Sequence, residues 1–500
     1  MKWEMPAAVR SAIVRRAGAR ARDFGTAGMR VLRGAAAASL LGLALPLTAQ
    51  AQKEAPPEPG PAKNITLPTP RTFTLDNGLE VKLLQYGTVP KVAVQLVVRV
   101  GNVDEAADEV WLADLVGDMM VEGTTSRSGE QIATQAASMG GSLNVGVGTD
   151  ETTIGGDALA EFAPEMIALV ADVARNPAFP ASELDRLKAD MLRSLAISTS
   201  RPQAQAQQSF MAALYGNHPY GRVFPTPEIV SSFTLEQVRA FHNEHFDAAR
   251  ARLYVVGQFD DAAVEAATRA AFSSWAAGSK SAPPPATAQG STQGQPVIHL
   301  VDRPGAVQSS MYIGLPVVDP THADYVPLQV TNTLLGGAFS SRITRNIRED
   351  KGYTYSPGSF VSSRVRSAFW AEVADVTTAV TGASISEIFK EIDLLTAEPP
   401  SAEELRGVQN YMAGTFTLNT ASRFGMLGQL RMLDLHGLPA SYLTNYVQNV
   451  YAVTPAEMQR IMREYLPKDR MIITVVGDRA QILDQVRPFG LLFSEFNQPG

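Results

Sequence analysis

The spacing of apolar residues changes along the chain in an order that occurs twice. "LEVKLLQY" (Leu79–Tyr86) and "KVAVQLVVRV" (Lys91–Val100) carry strand-spaced apolar positions after an Asn77-Gly78 pair, and such a pair before apolar runs marks a hairpin turn. Glu109–Glu122 then shifts to helical spacing, "GGSLNVGVGTDETTIGGDAL" (Gly140–Leu159) reads as a glycine-punctuated hairpin, and Ala160–Arg175 is again helical. The block closes on "FTLEQVRAFHNEHFDAARARLYVVG" (Phe233–Gly257), where Thr234 is placed to cap an amphipathic helix that a β-rich run follows.

The same closing pattern returns as "VTPAEMQRIMREYLPKDRMIITVVG" (Val453–Gly477), offset by 220 residues. A second anchor, "NPAFPASELDRLKADMLRSL" from Asn176 against "AEPPSAEELRGVQNYMAGTF" from Ala397, pairs Leu184 with Leu405 at an offset of 221. Two anchors at nearly one offset indicate a duplicated unit. The predicted fold is α+β: two homologous domains of sheet plus helices. "AAGSKSAPPPATAQGSTQGQP" (Ala276–Pro296) separates them and has the composition of a flexible linker. The expected divisions are a signal peptide at 1–51, a Pro-rich tether at 52–66, an N-terminal domain at 67–277, a linker at 278–296 and a C-terminal domain at 297–490.

Composition narrows the chemistry. The 500 residues are 45% hydrophobic and include no cysteine, which excludes disulfides, thiolate metal sites and cysteine nucleophiles. From Lys2 to Arg33 eight Lys/Arg face two acids, and an uncharged run, Gly34–Gln52, follows. Ala49-Gln50-Ala51 fits a signal-peptidase site, so the mature chain is expected to begin near Gln52 in the periplasm, with no stable membrane span after cleavage. Met29 heads a tidier signal and is an alternative start. The whole chain carries −7 and this segment +6, leaving about −13 on the mature chain. That balance opposes nucleic-acid binding.

"LDNGLEVKLL", the Gly123-Thr124 after the first helix, "MGGSLN", "HPYGR" (His218–Arg222) and above all "LLGGAFSSRITRNIREDKGYTYS" in the second half resemble the pitrilysin/insulinase family of zinc peptidases, which includes the mitochondrial processing peptidase subunits. The likeness covers nearly all of the mature chain. Active members carry H-x-x-E-H on the first helix: two imidazoles one turn apart bind zinc, the glutamate is the base for zinc-bound water, and a glutamate on a later helix is the third ligand. Setting that motif by Gly123-Thr124 puts the histidines on Asp114 and Asp118, the base on Gly117 and the distal ligand near Ser194. None of the four can do its work. Asp114 and Asp118 share a helix face, but two carboxylates without further ligands make a poor metal site. "FHNEH" (Phe241–His245) has the wrong spacing, and its histidines match Met462 and Tyr465 in the repeat, so it reads as a packing helix. His218 reads as loop structure.

The resemblance also implies what is retained. An arginine and a tyrosine seven residues later, here Arg348 and Tyr355, grip the backbone of a bound peptide in the family, and Arg and phenol donors suit that role. In the non-catalytic subunit of the mitochondrial enzyme a glycine-rich loop touches substrate; Gly336 and Gly337 stand there and read mainly as a tight helix-to-loop turn. The resemblance therefore implies a non-catalytic, substrate-binding subunit of a heterodimeric peptidase. It binds no cofactor of its own. A half-size partner with intact H-x-x-E-H holds the zinc, and the pair closes clam-like around a peptide that adds to a sheet edge. A structural scaffold, or a protein that captures peptides without cleaving them, are the other readings.

Overall fold

The computed structural model describes residues 67–279 and 286–496. The expected signal peptide and tether, and residues 280–285 of the linker, lie outside them. Two six-stranded mixed sheets form the frame. The first contains β1 (Arg71–Thr74), β2 (Glu80–Gln85), β3 (Lys91–Val98), β4 (Ser142–Val147), β5 (Thr152–Leu159) and β6 (Ala251–Gly257), in the order β1-β2-β6-β3-β5-β4. The second contains β7 (Val297–Asp302), β8 (Gln308–Val317), β9 (Gly358–Arg364), β10 (Ser367–Thr377), β11 (Ile472–Gly477) and β12 (Leu491–Leu492), in the order β12-β7-β11-β8-β10-β9. Five strands superpose in order, including the parallel pairs β2–β6 and β7–β11. The sixth differs: β1 joins β2 antiparallel from the start of its half, and β12 joins β7 parallel from the end of the chain.

The helices used below are α1 (Leu112–Met120), α2 (Ala163–Arg175), α3 (Ala181–Thr199), α4 (Pro202–Tyr215), α5 (Leu235–His245), α6 (Tyr325–Asn332), α7 (Thr381–Ala397), α8 (Ala402–Thr420), α9 (Arg423–His436) and α10 (Pro455–Tyr465). The duplicated caps form as the sequence predicts. Thr234 accepts from the Gln237 amide and Thr454 from the Glu457 amide, each in a reciprocal capping box. The Asn77-Gly78 turn is built with Gly78 at φ +92°, a conformation open to glycine.

Each sheet is covered on both faces, and the second cover comes from the other half. Along β3, Val92, Val94, Leu96 and Val98 join a core with α1 and α2, whereas Ala93 and Val97 face Met426, Leu427, Leu430 and Leu433 of α9. Reciprocally, Phe210, Leu214 and Tyr215 of α4 pack on Phe369 and Ala371 of β10 and Ile472 of β11. Gly314 permits this approach, since a Cβ there would lie 2.9 Å from the Phe210 ring. Helices α4 and α9 occupy equivalent places in the repeat, so the halves exchange one helix each. Asp434 of α9 fastens one exchange: Lys82 Nζ and Tyr254 Oη each donate to its carboxylate at 2.5 Å, and Arg99 donates to its carbonyl.

The described part of the linker is laid onto the protein. The Gln289 amide donates to the Leu214 carbonyl and the Ser291 amide to the Arg470 carbonyl, each at 2.8 Å. A polar segment without a core of its own still orders where its backbone finds such partners.

Candidate functional site

Helix α1 begins later than its apolar spacing predicts. Trp111 adopts a left-handed conformation, φ +76°, and ends the preceding turn. Glu105 then reaches the helix start, where its carboxylate accepts from the Trp111 and Ala113 amides at 3.0 and 2.9 Å and from the Asn102 side chain at 3.1 Å. It satisfies amides that a helix start leaves open. Burial pushes the Glu105 carboxyl up to about 8, against the pull of those donors.

The four zinc-motif positions are dispersed in character. Asp114 is held by Asn102, which donates to it at 2.7 Å, and burial with the nearby Asp118 charge raises its pKa to about 6. Asp118 is exposed at the far end of the same face, with Arg186 of α3 close enough to act on its charge. Arg186 is itself paired with Glu122 at 2.5 Å and with Glu183 and Asp190 of its own helix. Ser194 is an exposed residue of α3. Gly117 is buried, and a Cβ added to it would lie 2.7 Å from Val147 Cγ2 and 3.3 Å from Val145 Cγ1. The side chains of β4 thus stand where a base would have to project.

This donor set does not fit zinc. It offers no imidazole nitrogen, only two carboxylates, one of them bonded to an amide and the other beside a guanidinium. Among the described residues no three His, Asp or Glu side chains come together as a metal site. The histidines of "FHNEH" lie in α5. His242 is buried, 2.9 Å from the Ala174 carbonyl and stacked on Phe246. His218 Nδ1 accepts from the Tyr220 amide and so shapes the "HPYGR" turn.

In the C-terminal half the structure brings Arg348 and Tyr355 together. Arg348 lies in a helical turn, Thr344–Asp350. Its guanidinium carbon is 4.7 Å from the centre of the Tyr355 ring and 4.5 Å from that of Phe339. Tyr355 is 79% and Phe339 64% exposed. An arginine in contact with two exposed rings, and with no ion pair among the described residues, has its long side chain held while its N–H groups remain available to a ligand.

The glycine pair stands at the end of a helical turn, after which Ala338 is extended. Both belong to a wide helical turn, Thr333–Gly337, that continues α6, and neither has a left-handed φ. Gly336 is required by packing: a Cβ would lie 2.4 Å from Ser359 Oγ and 2.6 Å from Glu372 Oε2. Glu372, 1% exposed on β10, has no side-chain hydrogen-bond partner among the described residues, and burial holds its carboxyl well above the usual range. Gly337 is exposed and lines a cavity of about 510 Å³ with Asn332, Ser359, Tyr411 and Tyr446. Sequence reasoning missed Glu105, Phe339 and Glu372. Only Phe339 left a trace, as the aromatic inside "LLGGAFSSR".

Comparison with known proteins agrees with this architecture. Residues 81–228 match the insulinase (peptidase family M16) domain, and residues 232–412 match the peptidase M16 inactive domain. The chain is similar to an uncharacterized zinc protease of Mycobacterium tuberculosis, 25% identical over 421 residues, covering 82% of this chain and 94% of that protein. It is also similar to an uncharacterized zinc protease of Mycobacterium leprae, 30% identical over 284 residues, or 57% of this chain and 64% of that one. Among solved structures, the peptidase M16 inactive domain of Pseudomonas fluorescens superposes with a TM-score of 0.74 at 22% identity, over 82% of this chain and 98% of that one. A protease of Helicobacter pylori gives 0.75 at 19% identity, over 82% of this chain and all of that one. With both domain types present in order on the expected fold, the chain belongs to the M16 (insulinase/pitrilysin) peptidase family.

Proposed function

We propose that this chain is a non-catalytic, substrate-binding subunit of an M16-type peptidase, exported to the periplasm, and that a half-size partner with an intact H-x-x-E-H supplies the metal and the base. The observation that carries the reading is an asymmetry between the halves. At the zinc-motif positions there is no nitrogen donor, and Val145 and Val147 crowd Gly117. At the position of the family's peptide-gripping pair, Arg348 and Tyr355 are present and adjacent, with the Tyr355 ring exposed. In this reading Arg348 and the Tyr355 hydroxyl donate to carbonyl oxygens of an extended peptide near the bond that the partner cleaves. They favour the charge that develops there.

The test is reconstitution. The mature chain alone should leave peptides intact and contain well under one equivalent of zinc; with its partner it should support turnover. Arg348→Ala should cost the pair about a hundredfold in rate, roughly 3 kcal/mol for an oxyanion-type donor, with complex formation unchanged on gel filtration. Tyr355→Phe should lower turnover in the same direction. A pair whose mutants assemble and cleave at the wild-type rate would overturn the gripping role in favour of a scaffold.

A further inference from the structure

We infer that Phe339 is a third member of the peptide-gripping site, a positioning residue that fixes Arg348 so that its N–H edge takes a planar oxygen acceptor of the ligand, either a backbone carbonyl or a terminal carboxylate. The inference rests on the reading of Arg348 and Tyr355 as substrate-binding residues. It assigns a role to a residue outside that pair.

Three observations support it. The Phe339 ring is as close to the guanidinium as the Tyr355 ring is, at 4.5 Å against 4.7 Å. Phe339 is 64% exposed, so it is not held there by burial in a core. Among the described residues no ion pair or hydrogen bond engages the Arg348 side chain, although arginines 342 and 345 nearby are bonded to Glu404 and to the Ser340 carbonyl. A half-buried arginine with no polar partner among the described residues still samples several rotamers. Contacts with two rings restrict that sampling before a ligand arrives, and less entropy is then lost on binding. These ring contacts leave the guanidinium N–H groups without a hydrogen-bond partner among the described residues. The donors of a guanidinium lie in its plane and leave by the edge, the geometry that suits a carbonyl or a carboxylate.

The placement of Phe339 also fits. It follows the Gly336-Gly337 turn by two residues, and that turn is pinned beneath by the Ser359 and Glu372 side chains, which leave no room for a Cβ at Gly336. A ring mounted on a pinned turn can position its neighbour; one on a free loop cannot.

Two measurements test the proposal on the mature full-length chain. The first needs no ligand. Modification by phenylglyoxal, followed by peptide mass spectrometry, should be slow at Arg348 in the wild type, faster in Phe339→Ala, and slow again in Phe339→Tyr. The second uses a fluorescein-labelled unstructured peptide made with a free C-terminal acid and with a C-terminal amide, read by anisotropy. Phe339→Ala should weaken binding about two- to fivefold, the loss of one exposed ring–cation contact; Phe339→Tyr should restore it; and in an Arg348→Ala background Phe339→Ala should have no further effect. Equal weakening for acid and amide peptides assigns the acceptor to the backbone, and weakening confined to the acid assigns it to the terminus. If Arg348→Ala weakens binding and Phe339→Ala does not, the positioning role is wrong while the gripping role stands. If the peptide does not bind the wild-type chain, the gripping role loses its support, and the modification rates alone then decide whether Phe339 positions Arg348. Equal rates in wild type and Phe339→Ala would overturn it.

Discussion

Replacing Gly117 by alanine should show whether the helix that carries zinc in active relatives has been closed here by its neighbours. Two effects oppose. Alanine in a helix interior is favoured over glycine by about 1 kcal/mol. Against this, the new Cβ would lie 2.7 Å from Val147 Cγ2 and 3.3 Å from Val145 Cγ1, both closer than ordinary contact. Relief requires Val147 to leave its rotamer or β4 to shift, and overpacking of this kind costs roughly 1–3 kcal/mol. The balance is a net loss of about 0–2 kcal/mol. In a Val147→Ala background the main overlap disappears and the helix preference remains, so the same substitution should stabilise by about 1 kcal/mol. The change of sign is the test. Urea unfolding followed by tryptophan fluorescence suits it, since Trp111 sits at the head of the same helix, and the four proteins form a double-mutant cycle. If Gly117→Ala stabilises by the full amount in both backgrounds, β4 does not close the position, and the loss of the site is a matter of residue type alone.

Two further outcomes follow from the geometry. Glu105 and Asp114 have folded-state pKa values raised to about 8 and about 6 from ordinary values of 4.5 and 3.8; a raised carboxylate contributes stability that is fully present below its unfolded pKa and lost as pH rises through the folded value. The urea midpoint should therefore fall between pH 4.5 and 8, and Glu105→Gln should flatten that slope; a midpoint that rises over this range would mean that the helix-start amides outweigh burial. Phe210→Ala should destabilise the chain by about 3–5 kcal/mol, because this fully buried ring of α4 packs against Tyr312 and Phe369 of the other half; a loss below about 1 kcal/mol in chemical denaturation would show that the exchanged helix does not hold the halves together.

Much of the fold was legible because the duplication repeats its punctuation. Thr234 and Thr454 cap corresponding helices, and the strands ending at Gly257 and Gly477 fall in corresponding places in their sheets. The helix exchange was not legible. Apolar spacing in α4 and α9 says that one face of each is buried, but a period carries no information about which sheet receives it. A hint lay in "KVAVQLVVRV", which is apolar on both faces and so demands a second covering layer. The residue types at the zinc-motif positions could be read directly: aspartate, glycine and serine supply no imidazole. The wall of Val145 and Val147 could not, since it depends on how β4 lies across α1. Arg348 and Tyr355 were singled out only through the resemblance of a long motif to the peptidase family. Phe339 has no periodic signature, and its relation to Arg348 exists only once the turn after Gly337 has been folded. Glu372 was invisible for a related reason: a single acid in an apolar strand gives no sign of whether it faces a partner or, as here, the underside of a glycine.

The exchange of α4 and α9 bears on how a peptide could be enclosed. If the two halves of this chain opened about the linker, α4 would have to leave Phe369, Ala371 and Ile472, and α9 would have to leave Ala93, Val97 and Val256. Both apolar faces would meet water together, and the bonds of Lys82 and Tyr254 to Asp434 would break with them. Each large buried side chain exposed costs about 1.5–3 kcal/mol, so a handful of them exceeds what a typical domain's entire stability can supply. Opening within the chain is therefore closed off by the same contacts that join its halves. In the function proposed above, a clam-shaped enclosure would form between this chain and another. The exposed rings of Phe339 and Tyr355 beside Arg348 are a surface that a second chain could enclose without any of those contacts being broken.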